Sequence, residues 1–363
     1  MKLGVGAALV GKTLVPGDVD IAGGRIARVG IETGNGHGIA APGFVDLQVN
    51  GFNGVDFAGA DADGYRRAGE ALLESGVTAY LPALITASEE SLVASLRAVP
   101  RSAPGPRILG VHLEGPFLSA ARMGVHPLAA RRDPDARLLE RLLDAGPVRL
   151  VTLAPELPGA LGLIELLLSR GVRISCGHTD ATAEEAEAAF DLGVRTVTHL
   201  FNAMRPFRHR DPGIAGAALA RGDVVVQLIL DGHHVAPTTA HIVWRAAAGR
   251  VALVTDAMEG AMRGDGRYRL GDVEVEVRDG RAQNADEVIA GSVLTMVEAV
   301  RNLHDLGVPL GDALHAASTV PARVIGGSGV GTLEPGAPAD VVVLDDNLNV
   351  ERVLVGGEAL VAA

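Results

Sequence analysis

The order of apolar runs and helical segments along this 363-residue chain predicts an α/β protein. The architecture expected is a (β/α)8, TIM-like barrel with a small β-sandwich domain formed by both chain ends. Three observations predict it. Eight short runs rich in β-branched residues recur between positions 44 and 256, most of them separated by amphipathic or Ala/Leu-rich segments. The two chain ends instead hold short strand-like pieces punctuated by glycine. Residues able to bind metal stand at the ends of several apolar runs, where a barrel of this kind carries its active site.

The N-terminal stretch reads as short β pieces, with Gly17–Gly30 as strand, turn, strand. Ala339–Asp345 and Val350–Gly357 have the same texture. Neither end has enough strands to bury a core alone, so the two are expected to meet in one small domain, residues 1–41 with 328–363. The barrel then occupies 42–327. Its eight runs are Phe44–Asn50, Val77–Ile85, Ile108–Glu114, Val148–Leu153, Val172–His178, Val194–His199, Val224–Asp231 and Val251–Asp256. Asp61–Ser75, Pro158–Arg170 and Thr182–Leu192 are helical candidates between them. Alternation of buried strand and helix argues for a parallel sheet wrapped by helices. Pro82 weakens the second run as a strand, which leaves an open doubly wound sheet as the alternative. A glycine-rich hairpin-like insert, 264–286, follows the eighth run, and two helices then lead back to the small domain.

Composition narrows the function. With 48% hydrophobic and 21% charged residues the chain is globular. A net charge of −12 argues against a partner held by a basic surface, whether nucleic acid or anionic membrane, so any phosphate must be gripped locally. The single cysteine, Cys176, excludes an intrachain disulfide and a cysteine-based metal cluster. Aromatic residues at 3% leave too few rings for a base- or sugar-stacking platform. The apolar stretch Leu3–Val10 carries glycines, meets Lys12 quickly and lacks a clear cleavage site, so it reads as a first strand rather than a signal peptide. No run approaches the roughly 20 apolar residues of a spanning helix, and a cytoplasmic location is expected.

Polar residues at the run ends are Gln48 and Asn50, His112 and Glu114, His178, His199, Asp231 with His233 and His234, and Asp256. Any one of these histidines alone would read as a core or capping residue. Glu114, His178 and His199, however, close three runs, and two imidazoles with one carboxylate suit a catalytic divalent metal that keeps an open position. Asp256 ends the eighth run. Facing such a metal, its carboxylate could take a proton from water and deliver it to a leaving group; the other reading is a turn cap.

Pro42–Asp46, His112–Pro116, Gly177–Asp180, Thr198–Met204 and Leu253–Asp256 together resemble the amidohydrolase superfamily. More narrowly they resemble its N-acetylglucosamine-6-phosphate deacetylases, as do Gly291–Met296 and Pro321–Arg323. The resemblance covers nearly the whole chain. It implies hydrolysis of the N-acetyl group of an amino-sugar phosphate by metal-activated water, with Glu114, His178 and His199 as metal ligands and Asp256 as general base and acid. It further implies that His126 binds the substrate carbonyl and the developing oxyanion. Asn202, the backbone of Ala203, Arg210 and His234 match phosphate contacts, some of them supplied in family members by a neighbouring subunit of a homodimer. His233 is the alternative to His234, and the other reading of Arg210 is a surface pair with Asp211. Many superfamily members open with His-x-His and carry a carboxylated lysine. Here Gln48 and Asn50 take the first positions, and both lysines, Lys2 and Lys12, precede the barrel. One divalent ion per chain is therefore expected: zinc first, with iron, cobalt or manganese as alternatives. Rival functions are an N-acetylgalactosamine-6-phosphate deacetylase, a deaminase, a silent barrel scaffold and a sugar-phosphate sensor.

Overall fold

The structure, a computed structural model, describes residues 1–32, 36–101, 104–327 and 329–362. The predicted domain-boundary residue at 328 and the last residue of the chain lie outside the described residues, as does the segment 33–35.

Among the described residues, eight parallel strands form the central sheet: β1 (Phe44–Val49), β2 (Val77–Ile85), β3 (Val111–Glu114), β4 (Val148–Leu153), β5 (Arg173–Cys176), β6 (Thr196–Val197), β7 (Val225–Leu228) and β8 (Val251–Leu253). Each pairs with its sequence neighbour from β1 through β8. A parallel bridge between Val49 and Ala257 returns the last strand's exit to the first. That contact excludes the open doubly wound alternative, whose strand order reverses. Asp46 strengthens the seam: its carboxylate accepts from the Thr255 hydroxyl at 2.6 Å and the Thr255 backbone N–H at 3.3 Å.

Pro82 lies inside β2 after all. Strand β1 pairs with β2 through Asp46 opposite Tyr80, then resumes only at Val49 opposite Pro82, while pairing with β3 begins at Ala83. The proline therefore falls at a register break, where its missing N–H costs the ladder little. The third run is divided too, Arg107–Ile108 pairing with β2 before Gly110, at φ +128°, turns the chain into β3.

Helix starts carry their own signals. Asp61 accepts from the Gly64 N–H before α1 (Ala62–Glu74), and Thr182 with Glu185 forms a capping box before α2 (Ala183–Leu192). After β8 the insert is a three-stranded meander, Gly266–Leu270, Val273–Arg278 and Arg281–Gln283. Three helices among the described residues, not two, follow it: Met296–Asp305, Leu310–Ala317 and Thr319–Val324.

The chain ends share a six-stranded sheet, with Ile39–Pro42 between Ala7–Val10 and Val341–Leu344. Alternation along these strands sorts two faces. Ala8, Ala40, Val341, Val343 and Leu354 pack with Val19, Ile21 and Ile26 of a two-stranded ribbon, making a small two-layer core. Leu9, Ala41, Val342, Leu344 and Val353 face the main core instead. Arg107, at the barrel, holds the buried Asp340 through two charge-assisted bonds of 2.7 and 2.9 Å. No helix among the described residues is long and apolar enough to cross a membrane.

Candidate active site

The strands deliver their polar residues to one end of the barrel. Glu114 is the last residue of β3, whereas His178 and His199 lie two residues beyond β5 and β6, and Asp256 three beyond β8. Those three leave the strand conformation with positive φ, +47°, +26° and +50°. Left-handed backbone at a residue other than glycine costs on the order of 1–3 kcal/mol, so packing must hold it. Here it turns each side chain off the strand axis and into the mouth.

The three predicted ligands converge. His178 Nε2 is 3.1 Å and His199 Nε2 2.9 Å from Glu114 Oε1, and the two nitrogens are 3.2 Å apart. All three side chains are buried. His178 Nδ1 lies 2.9 Å from the Arg122 carbonyl oxygen, which can only accept, so Nδ1 carries the hydrogen. In the neutral ring Nε2 then presents a lone pair to a carboxylate oxygen. Lone pairs crowded together in a buried place fit a cation, and a carbonyl fixing the remote nitrogen is the usual partner of a ligating histidine. Burial alone would raise the Glu114 pKa, yet the imidazoles of His126, His178 and His199 around it hold it well below the usual carboxylate range.

Asp256 stands across the mouth, buried, with its Oδ1 accepting from Gln48 Nε2 at 2.9 Å and Asn50 Nδ2 at 2.7 Å. Burial, then the nearby charge of Glu114, pushes its pKa up to about 6. A carboxyl poised there can serve as base and then as acid near neutral pH. Gln48 Nε2 also donates to Glu114 Oε1 at 3.0 Å, so one amide ties both carboxylates. The sequence marked Gln48 and Asn50 only as poor metal ligands; their positive role is to aim Asp256. Gln48→Leu keeps the bulk and removes both bonds. Each bond to a charged group is worth about 1.5–3 kcal/mol, so steady-state kinetics should show kcat/KM down by roughly 10–100-fold; an unchanged value would make the bridge dispensable.

His126 sits beside the cluster, its ring centroid 4.4 Å from that of His178 and its Nε2 3.4 Å from Glu114 Oε2. The Thr86 backbone N–H points at Nδ1 from 3.3 Å, which makes Nδ1 the acceptor and leaves the hydrogen on Nε2, toward the mouth. Burial lowers the His126 pKa to about 4, so the ring is a neutral donor. The sequence reading passed over Thr86. It stands one residue past Ile85, which ends the second run, and a strand-end rule extended by one position would have found it.

Glu114, His126, His178, His199, Asn202, Ala203, His234 and Asp256 all line one cavity of about 240 Å³. Ala203, at φ +48°, is pinned by its carbonyl accepting from the Thr179 N–H at 3.1 Å, and the Asn202 amide donates to the His199 and Leu200 carbonyls. Of the histidine doublet, His234 turns inward, held by Asp231 at 2.7 Å, while His233 is exposed. Arg210 is outside this lining, exposed on the loop after Met204. Nor does it pair with Asp211, whose carboxylate is taken by Arg205 at 2.9 and 3.0 Å. His112 points below the mouth, bonded to the Leu47 carbonyl and, at 2.8 Å, to Thr152.

Residues 39–360 match the Amidohydrolase family. N-acetylglucosamine-6-phosphate deacetylase of Mus musculus is 40% identical, the match covering 96% of this chain and 93% of that protein. N-acetylgalactosamine-6-phosphate deacetylase of Escherichia coli O157:H7 is 37% identical, over 88% of this chain and 87% of that one. A mutant of N-acetyl-D-glucosamine-6-phosphate deacetylase from Mycobacterium smegmatis, solved in complex with N-acetyl-D-glucosamine-6-phosphate, superposes with a TM-score of 0.94 at 38% identity. That match covers 99% of this chain and 98% of the other.

Proposed function

This chain belongs to the amidohydrolase family, and from that premise we propose that it hydrolyses N-acetylglucosamine 6-phosphate to acetate and glucosamine 6-phosphate. The observation that carries the reading is one cavity walled by a three-ligand metal set, a buried carboxyl and a neutral imidazole donor. Glu114, His178 and His199 would hold a divalent ion, which when bound would supply Lewis-acid polarisation and a water of lowered pKa. Asp256 takes the proton from the attacking water and returns it to the departing nitrogen, so the amide bond is exchanged for acetate and an amine. The Nε2 hydrogen of His126 meets the carbonyl oxygen as negative charge develops there. His234, Asn202 and the Ala203 backbone bind the sugar phosphate, and that remote grip serves orientation at the amide. The test is acetate release from N-acetyl hexosamines of both epimers, with and without phosphate. Turnover confined to unphosphorylated sugars would overturn the reading.

Zinc is the ion we favour, one per chain. Gln48 and Asn50 are committed to Asp256, and no barrel lysine exists to bridge a second ion. Elemental analysis of active enzyme should find one stoichiometric ion; two, both required, would defeat this. We assign residues 1–41 and 328–363 to the small domain, 42–327 to the barrel, and the protein to the cytoplasm.

The working unit we propose is a homodimer in which Arg210 reaches the phosphate bound by a neighbouring copy. Its exposed position outside its own cavity, beside the exposed Phe207, supports that role. Arg210→Ala should lower kcat/KM for the phosphorylated substrate by roughly tenfold or more, the worth of a charge-assisted bond, and scarcely touch unphosphorylated N-acetylglucosamine. Equal loss for both substrates would indicate structural damage instead.

A further inference from the structure

The cavity is not polar all round. Part of its lining is apolar, Ile85, Val125, Leu270, Val288 and Ile289, and Val125 adjoins His126 in the chain. Two of these flank the carbonyl-binding apparatus in sequence: Ile85 precedes Thr86, which fixes the His126 tautomer, and Val125 precedes His126 itself. Leu270 comes from elsewhere, the tip of the first strand of the insert, and packs with Ile85 in one apolar cluster.

A carbonyl carbon between Asp256 and the His126 Nε2 hydrogen has two further substituents to place. The amide nitrogen leads to the sugar phosphate, an anion, which belongs with Asn202, Ala203 and His234 on the polar side. The acyl chain then has the apolar wall as its remaining direction, because it is bonded to the same carbon as the oxygen that His126 binds. We infer that the insert is the acyl selector of this enzyme, with Leu270 setting the length of chain that fits. The inference rests on the deacetylase reading and adds the residue that limits its substrate range.

The wall is built to be stiff. Leu270 is 3% and Ile85 6% exposed, and the cluster beneath them includes Met258, Val275, Val277 and Ala282. The turn after Leu270 is anchored to the barrel: the Gly271 N–H donates to Asp56 at 2.7 Å. The turn lies against that wall: a Cβ at Gly271, at φ +58°, would stand in ordinary contact, 3.5 Å, with the end of Ile85. A surface fixed in this way cannot retreat for a longer chain, and a hydrophobic pocket discriminates by roughly 10–200-fold per methylene that does not fit.

The experiment assays the holoenzyme on N-formyl, N-acetyl, N-propionyl and N-butyryl glucosamine 6-phosphate, following release of each carboxylate. In Leu270→Ala the ratio of kcat/KM for butyryl over acetyl should rise by roughly tenfold or more. In Leu270→Phe the acetyl substrate should lose at least as much while the formyl substrate is spared. Ile289→Ala, on the partly exposed rim, repeats the first comparison should either Leu270 variant melt early. A ratio within twofold of wild type in every folded variant overturns the inference and leaves the deacetylase standing. A wild-type enzyme that releases carboxylate from none of the four overturns both.

Discussion

His199→Ala is expected to lose the divalent ion and catalytic activity together. Of the two imidazole nitrogens in the mouth, His199 Nε2 is the nearer to Glu114 Oε1, at 2.9 Å against 3.1 Å. Its removal leaves one carboxylate and one imidazole, fewer than the three protein ligands of a catalytic site. Loss of a partner one step removed from a metal already costs about 10–100-fold in affinity or activity, and loss of a ligand should exceed that. Elemental analysis after dialysis, read beside acetate release, makes the check. Protein that retains one ion and wild-type turnover would remove His199 from the ligand set.

Several of these residues could be read from the sequence because a barrel converts position along the chain into position in space. A polar residue ending a buried parallel strand can only emerge at the mouth, so Glu114, His178, His199 and Asp256 were visible as strand-end exceptions to apolar runs. Their backbone was not visible. His178 and His199 stand beyond strands that stop at Cys176 and Val197, since the left-handed turns that aim them also end the ladder. Strand β6 keeps two residues, Thr196–Val197, of a predicted six, and its left-handed exit at His199 removes the last two.

Contacts that cross between strands were out of reach. Nothing along the chain couples Gln48 to both Glu114, 66 residues on, and Asp256, 208 residues on. The same holds for Leu270, whose insert is recognisable as a hairpin but whose docking against Ile85 depends on side-chain packing. Pro82 shows the opposite error. A local rule demoted its strand, and the structure keeps the strand by placing the proline at a break in register.

Asp256→Asn separates the proton from the ion. Asparagine has nearly the shape of aspartate, and its amide oxygen can still accept from Gln48 and Asn50, which now reach Oδ1 at 2.9 and 2.7 Å. That arrangement turns the other end of the amide, an NH2 group, toward the cavity. A donor then stands where an acceptor is needed, and no proton can be taken from water or passed to the leaving nitrogen. Asp256 is not one of the three converging ligands, so the ion should stay bound. Turnover should fall by roughly 10²-fold or more, the usual worth of a positioned acid and base. The two readouts divide the outcomes. Ion retained with activity lost fits a general base at Asp256. Ion and activity lost together would move Asp256 into the coordination sphere, and near-normal kcat with the ion in place would assign the proton to a different group.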